Sequence, residues 1–478
     1  MILVLRNLFD NSSKRQSGLM ICMLLAFSPV LASEPQPVQT PESVQNSEQG
    51  FAETFNAAFA HDPQLKSAYW TYLAEQEEAE IGFSGLLPDI SLSAGYQYED
   101  SNNIYTDENN PNTFKPTEDR SGGELEDTYW RLNLRQPLYN YPAYNYYQKS
   151  KAVAQASEFN YQRAEQELIY RVAERYLSVL LGAQQVFLNQ QKLDALELKR
   201  EQTERAKELG VGDQLQVLHV KSSRDLARSD LLEAKSQLSD AQTLLSNLTG
   251  ADVNLPESWV GSSDSITPSL LTGTQAEWLN SVNDNLSVKE ARARISQENS
   301  SLAESKGEHH PTLNLNLSYL DRKSDDEYRT RKDAIAAIEL VVPLYSGGKT
   351  QAKVRKARAR VLASKAELGY TIMEKEQQIK LSYNRLLSFT ERLIALAESR
   401  ESGKRYLEAA ERQLSLNLSD QVNVLDARTR LVDTQLQIAQ TLNDYLLSDL
   451  ILRLEAGRLN QERLSDYDQL FNSANGIR

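Results

Sequence analysis

The 478-residue chain has a single cysteine, Cys22, and four histidines, so the side chains that most metal sites and many active sites use are nearly missing. Its formal net charge of −14 lacks the basic excess that a nucleic-acid-binding surface requires. The sequence also has no phosphate-binding loop, no Gly-x-Ser-x-Gly motif and no His/Glu cluster with metal-ligand spacing. We therefore expect no enzymatic activity, no cofactor, no metal and no nucleic-acid partner.

Long apolar segments are also missing, since the longest run, residues 18–31, is too short for a comfortable transmembrane helix. Lys14 and Arg15 precede this run and Ala32 closes it with a small residue, which is typical of a secretory signal peptide. We predict a signal peptide over residues 1–32 and a flexible polar leader over 33–50. If the mature chain enters a membrane, we expect it to do so by strands and not by helices.

What the chain does have is an internal duplication, because short motifs of the first half recur in the same order in the second half. The paired positions are Pro88 and Pro311, Pro137 and Pro343, Asp213 and Asp420, and Gly250 and Gly457. The last two pairs share an offset of 207 positions. We predict a first repeat over 51–250, a linker over 251–273, a second repeat over 274–457 and a tail over 458–478.

Each repeat is predicted to contain one long helix flanked by shorter ones. Residues 143–209 contain no proline, and a helix of this length would span about 100 Å. The apolar positions Val172, Tyr176 and Val179 follow 4-3 spacing, and the same phase recurs in the second repeat from Ile379. This spacing predicts a seam for a neighbouring helix. The shorter helices are predicted over 51–86, 213–249, 274–309 and 420–457.

Strands are predicted between the helices because apolar and polar residues alternate with a period of two. Ile90 and Leu92 alternate with Ser91 and Ser93, for example. The four strands are predicted near 89–99, 128–136, 312–320 and 334–342, with a polar loop over 99–128 and a shorter loop over 321–333. The alternation alone is compatible with the wall of a water-filled membrane barrel and equally with a soluble sandwich.

A membrane barrel would require several copies of the chain, because four strands cannot close and an open sheet edge cannot lie in lipid. Two copies would supply eight strands and three copies twelve. A transport pore favours the larger number, since the interior of an eight-stranded barrel is filled by side chains.

The ordered motifs together resemble the TolC family of outer-membrane factors over nearly all of the mature chain. The resemblance is carried by the signal peptide, the strand starts at Pro88 and Pro311, the two Pro-Leu-Tyr turns, the tip motifs around Asp213 and Asp420, and Leu-Thr-Gly250. It implies a mainly α protein with a membrane β-barrel. In the implied homotrimer, a twelve-stranded barrel in outer-membrane lipid continues as a long α-helical periplasmic tunnel.

The resemblance also implies a function and partners. The chain would be the passive exit duct of type I protein secretion or of multidrug efflux, in the outer membrane of a Gram-negative bacterium and extending into the periplasm. A periplasmic adaptor protein and an inner-membrane ABC or proton-driven transporter would serve it. Two other interpretations stay open at this point: a periplasmic adaptor and a structural coiled-coil protein of the envelope.

The candidate constriction lies at the helix tips. By resemblance, Asn423 and Asp426 occupy the positions of two aspartates that ring the periplasmic mouth, and Gln216 and His219 are their first-repeat equivalents. An alternative for Asp426 is a solvated acid paired with Arg430 one helical turn away.

The contacts that usually close the tips are replaced in this chain. Leu414 and Ser419 stand where family members carry a tyrosine and an arginine, and Gln216 stands where these would bind an aspartate. We therefore expect other contacts to close this channel. For Asp213 and Asp420 we predict caps of the helices that they precede.

Overall fold

Helices and strands follow one another in an order that occurs twice along the chain. The structure is a computed structural model and describes residues 50–105, 120–253, 273–325, 329–416 and 421–460. The first half contains α1 (Phe51–His61), α2 (Pro63–Ser84), β1 (Asp89–Tyr105), β2 (Arg120–Tyr139), α3 (Tyr141–Glu208) and α4 (Gln214–Thr249). The second half contains α5 (Gln275–Asn280), a 3₁₀ turn (Ser281–Asp284), α6 (Leu286–Gly307), β3 (Thr312–Ser324), β4 (Arg331–Val341), α7 (Lys349–Ser415) and α8 (Gln421–Glu455).

Several predictions fall on residues that the structure does not describe. They are the signal peptide, nearly all of the leader, most of the linker and most of the tail, together with Ser419 and Asp420. Within the described parts of the chain, no helix is both long enough and apolar enough to cross a membrane.

The continuous helix predicted over 51–86 is interrupted, which corrects the prediction. Asp62 ends α1 and caps α2, because its carboxylate accepts a hydrogen bond from the backbone N–H of Gln64 at 3.1 Å. Pro63 cannot supply the N–H that a continuing helix needs, and it disfavours a helical conformation at the residue before it. The Asp-Pro pair was therefore a readable stop-and-start signal.

The helix predicted over 274–309 is interrupted as well. Here a 3₁₀ turn follows α5, and Asn285 then caps α6 by accepting a hydrogen bond from the backbone N–H of Ser287 at 2.9 Å. Asparagine side chains compete with the helix for backbone N–H groups, so a cap in this position ends one segment and starts the next.

The predicted loop over 99–128 is shorter than expected, because β1 continues to Tyr105 and β2 begins at Arg120. The backbones of the two strands pair well beyond the alternating segment, for instance at Asp100 and Glu124. The sequence of this extension is polar at consecutive positions, for instance Glu99 and Asp100, so the period-two pattern that predicted the strands is missing there. The second loop is shortened in the same way by β3 and β4.

The four strands form one antiparallel sheet in the order β1-β2-β3-β4. The register aligns the apolar positions of all four strands on one face, and one row across it is Ile90, Leu134, Leu317 and Ala336. This face is open in the single chain, where Leu92 remains 70% exposed.

The opposite face of the sheet is polar and internally hydrogen-bonded. Ser318 donates to the Asn133 side chain at 3.0 Å, and Asn316 donates to Glu339 at 3.1 Å. The two faces therefore differ in character as the alternation predicts.

The two long helices, α3 and α7, have 68 and 67 residues and are each about 100 Å long. The predicted seam is buried in both: Val172 and Tyr176 in α3, and Ile379, Leu386 and Leu393 in α7, are at most 3% exposed. These residues form the main hydrophobic core together with side chains of α1 and α8.

Neighbouring helices follow one order near the sheet and another near the tips. On the sheet side the order is α2-α3-α6-α7, and on the tip side it is α4-α3-α8-α7. The shorter helices thus lie in pairs beside the long ones, as their predicted lengths indicated. On the sheet side and on the tip side alike, α3 is an inner helix and α7 is an edge helix.

Glycines mark the two joints between paired short helices. Gly250 ends α4 with φ of 77°, and a Cβ at this position would lie 2.5 Å from the His61 ring at the end of α1. Gly457 has φ of 67°, and its Cβ would lie 2.6 Å from the backbone of Asp284. Both the left-handed conformation and the close approach require glycine.

The helix tips as the candidate constriction

The first tip is a tight turn between α3 and α4. Gly210 has φ of 75°, and the backbone N–H of Val211 donates to the carbonyl of Ala206 at 3.0 Å, which closes the end of α3. Asp213 caps α4, and its carboxylate accepts a hydrogen bond from the backbone N–H of Leu215 at 3.2 Å.

This tip is apolar at its surface. Leu209, Val211 and Leu215 are 79%, 81% and 72% exposed. An exposed apolar group of this kind indicates a contact with another protein. The sequence contained the signal, since these three residues surround the turn at Gly210, but the sequence analysis made no prediction from them.

The second tip lies between α7, which ends at Ser415, and α8, which begins at Gln421. Leu414 is half-buried on the last turn of α7. Ser419 and the predicted cap Asp420 lie in the undescribed turn.

The four candidate constriction residues flank one hydrophobic cluster that joins the tips. The cluster contains Val220 from α4 and Leu425 from α8, packed with residues of α3 such as Leu193 and Leu196. His219 is adjacent to Val220 in the chain, and Asp426 is adjacent to Leu425. Both side chains are exposed.

Of the other two candidates, Gln216 is half-buried and Asn423 is exposed. Within the described residues, Asp426 has no ion-pair partner, so the alternative pair with Arg430 is not formed. Arg428, two residues further along α8, pairs with Glu411 of α7 at 3.1 Å. The Asp426 carboxylate is therefore available to a pore or to solvent.

An ion-pair bridge that the sequence did not reveal joins three helices above the tips. Lys192 of α3 lies 3.6 Å from Asp230 of α4 and 3.4 Å from Asp433 of α8. The lysine side chain is only 16% exposed. The bridge connects the hairpin formed by α3 and α4 to α8, the second helix of the hairpin formed by α7 and α8. Charged residues beside an apolar seam are the available sequence signal for such pairs.

His310, at the junction between α6 and β3, has a packing role. The ring of His310 stacks on Tyr141 with centroids 4.7 Å apart, and its Nδ1 shares a 3.1 Å hydrogen bond with the Tyr139 hydroxyl. Across the described ranges, no group of three or more His, Cys, Asp or Glu side chains is arranged to hold a metal ion.

Comparison with known proteins identifies the family. The family described as outer membrane efflux protein matches residues 54–251 and 280–458, which together make up more than half of the chain. The chain belongs to this family. The outer membrane efflux family consists of outer-membrane channels and not of enzymes, and the resemblance to TolC-like channels is confirmed.

The relatives cover most of the chain. The alkaline protease secretion protein AprF of Pseudomonas aeruginosa is 26% identical over 87% of this chain and 86% of its own length. The outer membrane protein TolC of Vibrio cholerae is 26% identical over 87% of this chain and 93% of its own. The CmeC outer membrane channel of Campylobacter jejuni superposes with a TM-score of 0.70 at 15% identity, covering 91% of this chain and 94% of that one.

These findings give the fold, the location and the class of function. The chain has the mostly helical TolC-like channel fold with a small sheet, and it acts as an outer-membrane exit duct that extends into the periplasm. The interpretations as a periplasmic adaptor or a structural coiled coil are therefore wrong.

Proposed function

We propose that three copies of this chain close into a duct that carries substrates through the outer membrane. Each copy would supply four strands to a twelve-stranded barrel. The observation that carries the proposal is the exposed apolar face of the sheet, opposite a face of Ser, Asn, Arg and Glu side chains. Such a sheet suits lipid on one side and water on the other.

Aromatic residues at both ends of the apolar face support membrane insertion. Trp130 packs against Tyr319 with ring centroids 5.0 Å apart at the end distant from the helices. Tyr139 lies at the helix-proximal end of the same strand and is 43% exposed. Tyr139 is nine positions after Trp130, so a strand tilted by 35–45° would place the rings about 23 Å apart along the membrane normal. This spacing matches the apolar band of a membrane barrel.

The helices would continue the barrel as a periplasmic tunnel. The sheet order β1-β2-β3-β4 runs parallel to the helix order α2-α3-α6-α7, so each strand leads into or out of one helix. Three copies would then give twelve helices around one axis. We further propose that the repeats 51–250 and 274–457 arose by internal duplication and that cleavage after residue 32 releases the mature chain.

The exposed apolar tip supports docking of a periplasmic adaptor, which would link the duct to an inner-membrane ABC or proton-driven transporter. Among the relatives, AprF is named for alkaline protease secretion, and TolC is named only as an outer membrane protein. Because both are 26% identical to this chain, the proposal includes both type I protein secretion and multidrug efflux.

We propose that the tips form the gate. Asp426 and Asn423 would line the constriction together with Gln216 and His219, and Asp420 would cap α8 as Asp213 caps α4. The bridge from Lys192 to Asp230 and Asp433 would hold the two hairpins together in the closed state. The usual closing contacts of the family are missing because Leu414, Ser419 and Gln216 stand at their positions. The Lys192 bridge would take their place.

Two measurements test the duct together. Native mass determination of the detergent-extracted protein should give three chains, and the trimer should conduct ions in a planar lipid bilayer. A soluble monomer in the periplasmic fraction would contradict the proposal.

A further inference from the structure

The two lateral edges of the protomer each present a helix with one uncovered side. On the sheet side of the helix order, α2 and α7 are the outermost members. Helix α2 packs on α3, where Tyr72 stacks on Tyr161 with centroids 5.4 Å apart. Helix α7 packs on α6 and α8. The remaining side of each edge helix faces no other element in the described chain.

The uncovered side of α2 carries an exposed stripe with 4-3-4 spacing. It consists of Trp70, Ala74, Glu77 and Ile81, all exposed, with Trp70 and Ile81 each at 56%. Ala74 lies two positions after Tyr72, which turns it about 200° around the helix and away from α3. The spacing is that of a seam for a second helix.

The uncovered side of α7 carries a matching stripe. It consists of Arg355, Ala359, Leu362, Ala366 and Met373, with Leu362 at 62% and Met373 at 60% exposure. These positions repeat in steps of four, three, four and seven, and so keep one heptad phase. Ala357 and Val361, which are buried against the protomer, lie on the opposite side of the helix.

Each stripe contains one charged residue, and the two charges are opposite. Glu77 lies seven residues before the end of α2, about 10 Å along the axis, and Arg355 lies six residues after the start of α7, about 9 Å along. α2 leads into the edge strand β1, and α7 follows the edge strand β4. The two charges therefore lie at similar distances from the sheet.

The surroundings of both residues reinforce this complementarity. α2 also carries Glu80, and the first turns of α7 carry Lys356 and Arg358, all exposed. Glu78, in contrast, is used within the protomer, where it accepts a 2.7 Å hydrogen bond from Tyr146 that raises the pKa of this tyrosine.

We infer that the α7 stripe of one copy binds the α2 stripe of the next, with Arg355 paired to Glu77 across the junction. The inference rests on the proposed trimer and adds the contact that selects the partner and its register. If β4 of one copy pairs with β1 of the next, the helices α7 and α2 become antiparallel neighbours. Ala74 then faces Ala359, and Trp70 faces Leu362.

Charge reversal tests the pairing. Glu77→Arg and Arg355→Glu should each shorten the lifetime of the detergent-extracted trimer by about tenfold or more, because a like-charge pair replaces an opposite one. The double variant should return the lifetime to within about threefold of the unaltered protein. Arg360→Glu, on the same helix outside the stripe, is the matched control and should leave the lifetime unchanged.

The outcomes separate this inference from the proposed function. A trimer that tolerates both single reversals, or a double variant as weak as the single ones, overturns the pairing and leaves the duct intact. An unaltered protein that is monomeric overturns both. Weakened insertion into anionic vesicles by Arg355→Glu and Arg360→Glu alike, with an unchanged trimer, would assign the basic turns to lipid headgroups instead.

Cysteine cross-linking gives an independent check, because the only cysteine of the chain, Cys22, lies in the predicted signal peptide. Chains with Ala74→Cys mixed with chains with Ala359→Cys should form disulfide-linked dimers on oxidation, since a disulfide requires Cβ atoms about 4 Å apart. Either variant alone should not. A pairing of Ala74→Cys with Leu381→Cys, further down α7, is the control, and equal cross-linking there would contradict the register.

Discussion

The long helices α3 and α7 have nearly the same length and the same heptad phase, yet they differ in what surrounds them. Helix α3 is an inner helix with neighbours on several sides and is buried at positions along its whole length, from Asn145 to Thr203. Helix α7 is an edge helix, and side chains such as Leu362, Tyr370 and Met373 are more than half exposed. Two helices of nearly equal length and equal heptad phase therefore differ in burial: α3 is covered within the chain, whereas one side of α7 is left exposed.

Aspartate substitutions should show the difference between α3 and α7 most clearly. Leu168→Asp in α3 places a charge at a fully buried position and should destabilise the protomer by about 4 kcal/mol or more, so that no folded chain accumulates. Leu362→Asp in α7 should leave the protomer folded and reduce only trimer formation. Far-UV circular dichroism and native mass in detergent distinguish the two effects. Unfolding by both variants to the same extent would contradict the distinction.

The exposed surface of the sheet should differ from that of α7, since lipid and not protein would cover it. Leu315→Arg on the apolar face should cost about 2–4 kcal/mol in the membrane and impair assembly. Asn316→Arg on the polar face, where Glu339 is within reach, should be tolerated. The yield of folded trimer from membranes measures both. If both variants assemble equally well, the assignment of one face to lipid and the other to water is wrong.

The ion-pair bridge at Lys192 tests whether the contact between the inner helix α3 and α8 holds the tips closed. Lys192→Met should remove both ion pairs. Because Asp230 and Asp433 are partly exposed, the loss should be about 0.5–1 kcal/mol, or roughly a threefold rise in open probability. Single-channel recording measures this change, with Lys221→Met, an exposed lysine of α4, as the control. An unchanged open probability would remove the bridge from the gate.

The smallest effect should come from Asp426, which is exposed on α8. Asp426→Asn would remove a ring of three carboxylates in the proposed trimer and should lower the preference for cations without changing stability. Reversal potentials in salt gradients report this preference. Asp240→Asn, an exposed acid of α4, should leave it unaltered. If the two variants behave alike, Asp426 does not line the constriction.

Sequence patterns were sufficient where one period persisted over many residues. The 4-3 ladder from Val172 correctly indicated the buried seam, and the alternation at Ile90 and Leu92 correctly divided the faces of the sheet. The break at Asp62 was readable but was overlooked. The continuation of β1 to Tyr105 was not readable, because backbone pairing extended it without any apolar alternation.

Contacts between distant helices were harder to predict. Lys192, Asp230 and Asp433 have no counterparts in the other repeat, and only the packing of α3 between α4 and α8 brings them together. The second stripe of α7 was overlooked for a different reason. The seam from Ile379 already accounted for one heptad phase of α7. A second apolar stripe on the same helix can be recognised only once the structure shows which side is buried.

The joints at Gly250 and Gly457 restrict how the tips can move. Helices α2 and α4 are separate rods, but α3 runs past their joint with its backbone hydrogen bonding uninterrupted. A hinge at the joint would therefore also have to bend α3. Bending a helix strains its backbone hydrogen bonds. A rotation of whole helices about their long axes, or a slide along them, therefore costs less energy than a hinge. In the proposed trimer, such a motion would change the bore of the tip half while the sheet half keeps its diameter.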